Sequence, residues 1–332
     1  MQVVEQVGVR ALATPPQIAA RPPDATRPLW SVMLPTYNCT PFLREALRSV
    51  LAQDPGPALM QIEVVDDAST DADVAALVAE LGGGRVQYYR QPANVGSLRT
   101  FETCLNRAQG HRVHLLHGDD RVLPGFYAEI GRLFDQHPEA GAAFSHYASI
   151  DEAGRRTQEF GPLEPRAGVL QNWLLRLAEA QCLQYAGTVV RREVYEQLGG
   201  FYGTDCSEDW EMWVRIARHY PVAYTPALLA EYRGRSGSIS EEKERLGHVL
   251  PETGRAIARI EAHLPPEHRR RVGNAARRWA ALLGIGGAYR VLRDTRSWPL
   301  AQQRIRQSLA LSRHPSVYRE LLRFYVKTLI RW

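Results

Sequence analysis

The adjacent carboxylates Asp119 and Asp120 are the first candidates for chemistry in this sequence. Two neighbouring acidic side chains repel each other unless a cation or hydrogen-bond donors stabilise them. A hard divalent ion such as Mg²⁺ or Mn²⁺, bound to a diphosphate, would satisfy both carboxylates. The pair follows an apolar run at residues 113–116, which predicts a strand. The alternative is that one carboxylate only caps the helix predicted to begin near Pro124.

A second acidic pair, Asp66 and Asp67, also follows an apolar run, at residues 62–65. A carboxylate at this place could accept the imide N–H of a uracil or thymine base, or a ribose hydroxyl. Helix capping is again the alternative, but Ser69 and Asp71 follow and could supply the cap themselves. We therefore expect Asp67 to be available for a ligand.

A third acidic segment, Glu208-Asp209, opens a predicted helix in which Trp210 and Trp213 recur on one face. The helix dipole favours negative charge in the first turn, and this effect alone could account for both carboxylates. A carboxylate fixed at the rigid end of a helix could also act as a general base toward an acceptor hydroxyl.

The elements that would position these segments alternate along the chain as strand and helix. Short apolar runs predict the strands, and apolar residues at helical spacing predict the helices between them. This alternation is typical of an α/β fold with a mostly parallel sheet and helices on its faces. Such sheets bind ligands at the carboxyl ends of their strands, where both aspartate pairs and Thr36-Tyr37-Asn38 are expected. We predict strands at 30–35, 62–65, 86–89, 113–116 and 141–150.

A basic helical region follows from about residue 241. Residues 241–332 contain 19 Lys+Arg and 8 Asp+Glu, a net charge of +11, whereas residues 1–240 have a net charge of −6. Such a region could contact phospholipid headgroups or nucleic acid, or its charges could simply be solvated. We predict a disordered or loosely packed proline-rich leader over 1–27, an α/β domain over 28–240 and the helical region over 241–332.

Several classes of protein are disfavoured by the sequence. It contains no run of 18 apolar residues and no apolar signal-peptide core, so we expect a cytoplasmic protein without a membrane span. The four cysteines form no C-x-x-C pair, which argues against a zinc site or a disulfide scaffold and fits a reducing cytosol. The histidines have no H-E-x-x-H spacing, and neither a P-loop nor a G-x-G-x-x-G segment occurs.

Between about residues 30 and 240, six segments in order resemble a family 2 glycosyltransferase of the GT-A fold. Four resemble the donor-binding half of that family and two resemble its acceptor half. The six are Val32-Met-Leu-Pro-Thr-Tyr-Asn38, Glu63-Val-Val-Asp-Asp-Ala-Ser-Thr-Asp71, Asn94-Val-Gly96, Leu115-Leu-His-Gly-Asp-Asp120, Leu198-Gly-Gly-Phe201 with Glu208-Asp-Trp-Glu-Met-Trp213, and Tyr232-Arg233.

The resemblance implies transfer of a sugar, with inversion, from a UDP- or dTDP-sugar to a hydroxyl acceptor. It implies that Asp120 ligates a divalent metal, Mg²⁺ or Mn²⁺, and that Asp119 contacts the ribose or the metal's shell. It further implies that Asp209 is the catalytic base and that Glu208 helps to hold the acceptor or the sugar. The residues implied for the donor nucleotide are Pro35, Thr36, Tyr37, Asp67, Asn94 and Asp119.

Two departures from the family pattern refine this expectation. The family often has a histidine in a Y-R-x-H-x-x-S segment, where this sequence has Arg235. Arginine does not ligate metals but pairs with phosphate oxygens, so we hypothesise that Arg235 supports the diphosphate and weakens the dependence on metal. The Q-x-x-R-W segment of processive members lacks its glutamine at both candidate places, where Ala275 and Thr328 stand, so we expect a non-processive enzyme.

By analogy with the family, the expected setting is bacterial surface glycan assembly, with a glycan or lipid-linked acceptor. The basic helices would then lie peripherally on the inner membrane surface. One alternative is a transferase that acts on a protein or a soluble small molecule. Another is a nucleotide-sugar-binding protein without turnover. A nucleic-acid-binding protein is disfavoured, because no known nucleic-acid motif is present and the front part is acidic.

Overall fold

A computed structural model of the chain describes residues 12–22, 26–159, 161–203 and 206–331. They form the predicted α/β fold together with a group of C-terminal helices. Contacts divide the chain into two compact units. The first, called the sheet unit below, comprises Met1–Gln171, Leu183–Asp205 and His219–Arg235; the second, the helical unit, comprises Asn172–Cys182, Cys206–Arg218 and Ser236–Trp332.

The described strands of the sheet unit join in one sheet with the order β3-β2-β1-β4-β9-β6-β10-β5. Strands β1, β2, β3, β4, β6 and β10 run in the same direction, whereas β5 and β9 are antiparallel to their neighbours. Strands β7 and β8 pair antiparallel with β6 and β10. The bounds are β1 Trp30–Thr36, β2 Met60–Asp66, β3 Gln87–Arg90, β4 Arg112–Leu115, β5 Arg121–Val122, β6 Ala142–Ile150, β7 Arg156–Glu159, β8 Gly168–Val169, β9 Thr188–Arg191 and β10 Val222–Arg233.

Helices connect the strands and then make up the C-terminal region. No helix in the described part of the chain is both long and apolar enough to cross a bilayer. The bounds are α1 Thr40–Leu51, α2 Val74–Gly82, α3 Ser97–Arg107, α4 Phe126–Gln136, α5 Trp173–Glu179, α6 Arg192–Leu198, α7 Glu208–His219, α8 Ile239–Leu246, α9 Val249–His263, α10 Pro266–Thr295, α11 Trp298–Leu311 and α12 Pro315–Arg331.

Strands β1 and β2 are buried along their whole length, as expected of central parallel strands covered on both faces. On one face, Val32 and Ile62 belong to a core cluster that also includes apolar residues of α1, α2 and α4. On the other face, the Ser31 hydroxyl donates to Gln61 Oε1 at 2.5 Å, and Gln61 Nε2 donates to the carbonyl of Arg107 in α3 at 3.3 Å. Both faces of β1 and β2 are therefore covered, and ligands can reach these two strands only at their ends.

The described part of the leader, residues 12–22, is not loosely packed, which differs from the prediction. Ile18 is buried, and the Gly200 N–H donates to the Pro16 carbonyl at 2.9 Å. The Arg21 side chain donates to carbonyls at the end of α3, among them that of Asn106 at 3.1 Å. These polar contacts satisfy carbonyls that the helix end leaves without a partner, and no apolar periodicity signals them. The predictions for 1–11 and 23–25 lie outside the described residues.

The helical unit is built around α10, whose small residues let neighbouring helices approach closely. A Cβ on Gly284 would lie 2.3 Å from Ser308 Oγ of α11 and 2.6 Å from Leu250 Cδ1 of α9. Such distances are far inside van der Waals contact, so this crossing requires glycine. The helical region predicted after residue 240 is present, and Gly247, which has φ +73°, separates α8 from α9.

Two helices from within the predicted α/β range, α5 and α7, belong to the helical unit. Trp210 of α7 is fully buried, and its indole N–H donates to the Leu177 carbonyl of α5 at 2.7 Å. Its ring meets that of Trp279 in α10 edge-on at 5.1 Å. His263 Nε2 of α9 lies 2.7 Å from Glu211 Oε1 of α7. The C-terminal helices therefore support α7, the helix that opens with Glu208-Asp209.

We expect Trp210→Ala to lower the free energy of unfolding by roughly 3–5 kcal/mol, because it leaves a large cavity and an unpaired carbonyl. Denaturant titration followed by circular dichroism measures this loss. Leu283→Ala is the control, since Leu283 of α10 is 51% exposed and its loss should change stability by about 1 kcal/mol or less. Equal effects of the two substitutions would contradict the supporting role of Trp210.

Candidate functional site

The carboxyl ends of β1, β2 and β4 lie side by side, because these strands are parallel neighbours in the sheet. Backbone hydrogen bonds continue beyond the strands. The Asp67 N–H donates to the Thr36 carbonyl at 2.9 Å, and the Gly118 N–H donates to the Pro35 carbonyl at 3.1 Å. The predicted polar segments after these three strands therefore meet at one edge of the sheet, as the sequence analysis expected.

The loop after β4 approaches the loop after β1 at Gly118. A Cβ at Gly118 would lie 2.7 Å from Thr36 Oγ1 and 3.0 Å from Cys39 Sγ, so only glycine fits. Thr36 is buried, and burial raises the pKa of Cys39, which is therefore a neutral thiol in this wall. Tyr37, which follows Thr36 in the sequence, is 40% exposed, so its ring is accessible to solvent or to a ligand.

The loops after β1 and β2 are tied together in a strained conformation. Asn38 and Ala68 have φ values of +45° and +60°, which non-glycine residues seldom adopt. The Asn38 N–H donates to Ser69 Oγ at 3.1 Å, and Asn38 Oδ1 accepts from the Thr70 N–H at 2.8 Å. Strain of this kind persists where the surroundings fix it, and it is concentrated at binding sites.

The capping assignment made from the sequence was wrong. Helix α2 is capped by Asp73, whose Oδ1 accepts from the Ala76 N–H at 2.9 Å. Asp71 instead binds Thr40, accepting from its N–H and its hydroxyl at 2.9 Å each. Ser69 and Asp71 therefore hold the β1 loop, because this loop leaves donors without a helical partner. Sequence spacing alone does not distinguish these two uses of a short polar side chain.

Asp67 is engaged rather than available, which also differs from the expectation. Its Oδ1 accepts from the Val95 N–H at 2.8 Å, and its Oδ2 accepts from the Gly96 N–H and from Asn94 Nδ2, both at 2.9 Å. The carboxylate thus organises the Asn94-Val95-Gly96 loop at the start of α3. Its contribution to a binding site is to position this loop, and it brings Asn94 beside the end of β2.

Asp119 and Asp120 form a cluster with His117, in which one possible ligand atom of each residue lies within 4.8 Å of the others. Asp120 is 1% exposed, and its Oδ1 accepts from the Arg233 backbone N–H at 2.8 Å. Its Oδ2 is buried and has no hydrogen-bond partner among the described residues. Burial, and then the charge of Asp119, raise the pKa of Asp120 well above its usual value.

A divalent cation fits this cluster. Burial lowers the pKa of His117, so its imidazole is neutral and able to act as a ligand. His117 Nε2 is buried and also has no hydrogen-bond partner in the described part of the chain. The ring packs against Tyr185 at a centroid distance of 4.4 Å and stacks on Phe101 at 5.2 Å. His117 was not among the predicted metal ligands, although its place three residues before Asp120, in the same turn after β4, is the signal that indicates it.

Two arginines of the β10 end hold the acidic cluster. Arg233 Nε donates to the Asp119 carbonyl and Arg233 Nη2 to Glu45 Oε2, both at 2.8 Å. Arg235 Nε donates to Asp119 Oδ2 at 2.7 Å, and its side chain is only 9% exposed. The predicted diphosphate residue and the predicted ribose residue are therefore an ion pair in this structure.

The predicted base, Asp209, lies in the first turn of α7 in the helical unit, beside Glu208 and after Ser207, which has φ +65°. Its Oδ1 accepts from the Trp210 N–H at 2.7 Å, and its Oδ2 accepts from Gln181 Nε2 at 2.6 Å. Burial raises the pKa of Asp209 to about 7. A carboxyl group that titrates near neutrality suits general-base chemistry. Nothing in the sequence pattern indicated Gln181.

The sheet unit thus brings together one predicted set of residues, and the helical unit holds the other. Those gathered at the strand ends of the sheet unit are Pro35, Thr36, Tyr37, Asp67, Asn94, Asp119, Asp120 and Arg235. The set in the helical unit is Glu208 and Asp209.

Comparison with known sequences matches residues 31–199 to the model of glycosyl transferase family 2. An uncharacterised protein of Mycobacterium tuberculosis is 30% identical over 223 residues, which are 63% of this chain and 68% of that protein. A Mycobacterium bovis protein, also uncharacterised, is 28% identical over 214 residues, or 63% of this chain and 60% of its own length.

Solved structures share the fold. TarS 1-349 of S. aureus, crystallised with UDP-GlcNAc, is similar with a TM-score of 0.63 at 16% identity, over 85% of this chain and 81% of that one. A mannosyltransferase of Pyrobaculum calidifontis, in complex with GDP-Man and Mn²⁺, is similar with a TM-score of 0.56 at 21% identity. The match covers 96% of this chain and 91% of the mannosyltransferase. The predicted GT-A fold is confirmed.

We expect the stability gained by Asp209→Asn, relative to the wild type, to grow as the pH rises. The folded pKa of about 7 exceeds the ordinary 3.8, so ionising Asp209 destabilises the folded chain, and the cost increases between the two values. Below about pH 4 both states hold the proton and the cost disappears. At about pH 8 the free energy of unfolding of Asp209→Asn should exceed that of the wild type by on the order of 2–4 kcal/mol.

Thermal unfolding of both proteins across this pH range measures the effect. Glu267→Gln is the matched control, since Glu267 is an exposed first-turn acid of α10. A difference between Asp209→Asn and wild type that stays constant with pH would contradict the raised pKa.

Proposed function

The chain belongs to glycosyl transferase family 2, and on this premise we propose that it is an inverting, non-processive transferase of nucleotide-activated sugars. The observation that carries this proposal is the buried Asp120 oxygen without a partner, beside Asp119 and His117, at the edge where the strand-end loops meet. A buried carboxylate of this kind is costly unless a ligand compensates it. A metal-bound diphosphate is the ligand that fits.

The donor nucleotide is proposed to lie against the loops after β1, β2 and β4. The exposed ring of Tyr37 would contact the base. Buried Thr36 and the loop held by Asp67 would form the floor and one wall of the nucleotide pocket. Asn94 and Asp119 supply polar groups for the ribose. A UDP- or dTDP-sugar suits such a pocket, because uracil and thymine present the same imide edge.

The metal is proposed to be held by Asp120 and Asp119, with His117 as a further ligand that the structure brings to the same place. When bound, Mg²⁺ or Mn²⁺ neutralises negative charge that develops on the diphosphate. Arg235, now paired with Asp119, is proposed to turn its guanidinium to the diphosphate when the donor binds. Asp119 is both the present partner of Arg235 and a proposed metal ligand, so Arg235 would release this carboxylate to the metal when it turns to the diphosphate.

Transfer is proposed to begin at Asp209, which accepts the proton of the acceptor hydroxyl. The acceptor oxygen forms its bond to the anomeric carbon on the face opposite the diphosphate, and the bond to the diphosphate breaks with its electron pair on the leaving oxygen. One displacement inverts the anomeric configuration. Gln181 holds the Asp209 carboxylate, and Glu208 is proposed to hold the acceptor or the sugar.

The proposed setting is bacterial surface glycan assembly at the cytoplasmic side of the membrane, with a glycan or lipid-linked hydroxyl as acceptor. This setting rests on family analogy and on the basic helical region. The competing assignment is a protein or a soluble small molecule as acceptor. Identifying which acceptor hydroxyl receives the sugar distinguishes the two assignments.

We expect Asp120→Ala to weaken UDP binding by about 10- to 100-fold and uridine binding by less than about twofold, because only the diphosphate uses the metal site. Calorimetric titration with and without Mn²⁺ measures both. Glu80→Ala is the control, since Glu80 is an exposed carboxylate of the same unit. Equal losses for UDP and uridine would refute the metal role, and UDP binding that ignores Mn²⁺ would assign the diphosphate to Arg235 alone.

We expect Asp209→Asn to reduce turnover by about 10²- to 10⁴-fold while donor affinity stays unchanged, since the base acts on the acceptor and not on the donor. Release of UDP or dTDP from a panel of nucleotide sugars, with water as acceptor, provides the assay. The anomeric proton of the released sugar, read by NMR before mutarotation, reports inversion. Glu267→Gln should behave as wild type. A wild-type chain that binds donors without releasing nucleotide under any acceptor would be a binding protein instead.

A further inference from the structure

Helix α12 of the helical unit has a broad apolar face that nothing in the described chain covers. Leu329 and Ile330 are 81% and 78% exposed, and Leu322 is 65% exposed. At 100° per residue these side chains, with three more, fall within an arc of about 140° on the helix surface. The members of this face, called the outer face below, are Tyr318, Leu322, Tyr325, Val326, Leu329 and Ile330.

The opposite side of α12 is packed, so the outer face is held in a fixed direction. Val317 and Phe324 are buried in a core cluster with residues of α10 and α11. The Phe324 ring meets those of Tyr289 in α10 and Trp298 in α11 edge-on, at 6.4 and 6.3 Å. The packed side alone therefore attaches α12 to its neighbours. The six large apolar side chains of the outer face do not contribute to that packing, and another role has to account for them.

Positive charge borders the outer face on one side. Arg323 and Lys327 fall along the adjoining strip of the helix, and Arg319 lies just inside the same edge of the arc, between Val326 and Ile330. Glu320 is the single acidic residue of α12. Residues 296–332 hold eight Lys+Arg against that one acid. All three basic side chains are exposed. Arg323 Nη1 donates to Glu320 Oε2 at 3.1 Å, and Lys327 Nζ lies 5.7 Å from the centroid of the Tyr289 ring.

We propose that the outer face of α12 lies in the headgroup region of an anionic phospholipid bilayer, parallel to the surface. The apolar side chains would enter the acyl boundary and the adjoining arginines would meet phosphate oxygens, so the occupant has to be both apolar and negatively charged. Tyr318, Tyr325 and the 39% exposed Trp298 are residue types that favour this interface.

Charge complementarity favours a lipid surface over a second copy of the chain. Two outer faces packed antiparallel would bring the two arginine strips together, and Glu320, which accepts from Arg323, is the one acid that each α12 offers against them. A bilayer surface supplies negative charge along the whole strip. The proposal rests on α12 alone and does not depend on the proposed transfer chemistry.

The experiment is flotation of the full chain with vesicles of phosphatidylcholine containing about one-third phosphatidylglycerol, compared with pure phosphatidylcholine. We expect binding to the anionic vesicles that weakens as salt is added. Leu322→Gln with Leu329→Gln should reduce the partition coefficient by about 100-fold or more, because each buried leucine contributes about tenfold or more. Arg319→Gln with Arg323→Gln should reduce it by roughly 25-fold.

The matched control combines Leu59→Gln with Leu246→Gln, two leucines that are 48% and 41% exposed elsewhere. It should bind vesicles as wild type does. Circular dichroism and nucleotide release in solution should be unchanged in every variant, which separates this proposal from the proposed function. Wild type that fails to float, or a Leu322/Leu329 variant that still floats, would overturn the proposal. So would light scattering that shows a dimer lost in that variant without any lipid binding.

Discussion

The hydrogen bonds of the buried Arg233 guanidinium hold together the turns on which the candidate site of the sheet unit depends. A cation removed from water has to be paired and hydrogen-bonded, and the fold surrounds this one with oxygen atoms. Nη1 donates to the carbonyls of Asp151 and Glu152 at 2.9 and 3.1 Å, while Nη2 reaches Glu45. Its backbone and Nε bind the Asp119-Asp120 turn directly. One residue at the end of β10 therefore ties the Asp119-Asp120 turn to α1 and to the turn after β6, which fixes the position of both aspartates.

This preorganisation has an energetic cost, and the cost lies at the functional groups. Asp120 and Asp209 both have raised pKa values because burial removes water without supplying full compensation. Asn38, Ala68 and Ser207 add left-handed backbone where other residues would avoid it. A chain optimised only for stability would replace these groups. At the strand ends of the sheet unit, and separately at the start of α7 in the helical unit, such groups are typical of positions that a bound ligand stabilises.

The sequence was informative where a periodic pattern decides the structure. The α/β fold, the meeting of the strand-end segments and the helices after residue 240 follow from hydrophobic spacing, and the structure confirms them. The sequence did not predict the hydrogen bonds of short polar side chains, because each of these side chains has several possible partners. Asp67, Asp71 and Ser69 bind loop donors that no spacing reveals. The grouping of α5 and α7 with the helical unit depends on which surface buries Trp210, and an amphipathic pattern does not identify its partner.

The segment at residues 12–22 has a consequence for the order of events during synthesis. Its partners include the Gly200 and Gly203 N–H groups and Arg192, which donates to the Ala19 carbonyl. The ribosome makes these partners more than 170 residues after the segment itself. The contacts of this segment with Arg192, Gly200 and Gly203 can therefore form only after β9 has been made, whereas its contacts with α3 can form earlier. Strand β10, Val222–Arg233, is made later still, so the docking of residues 12–22 can precede the completion of the sheet.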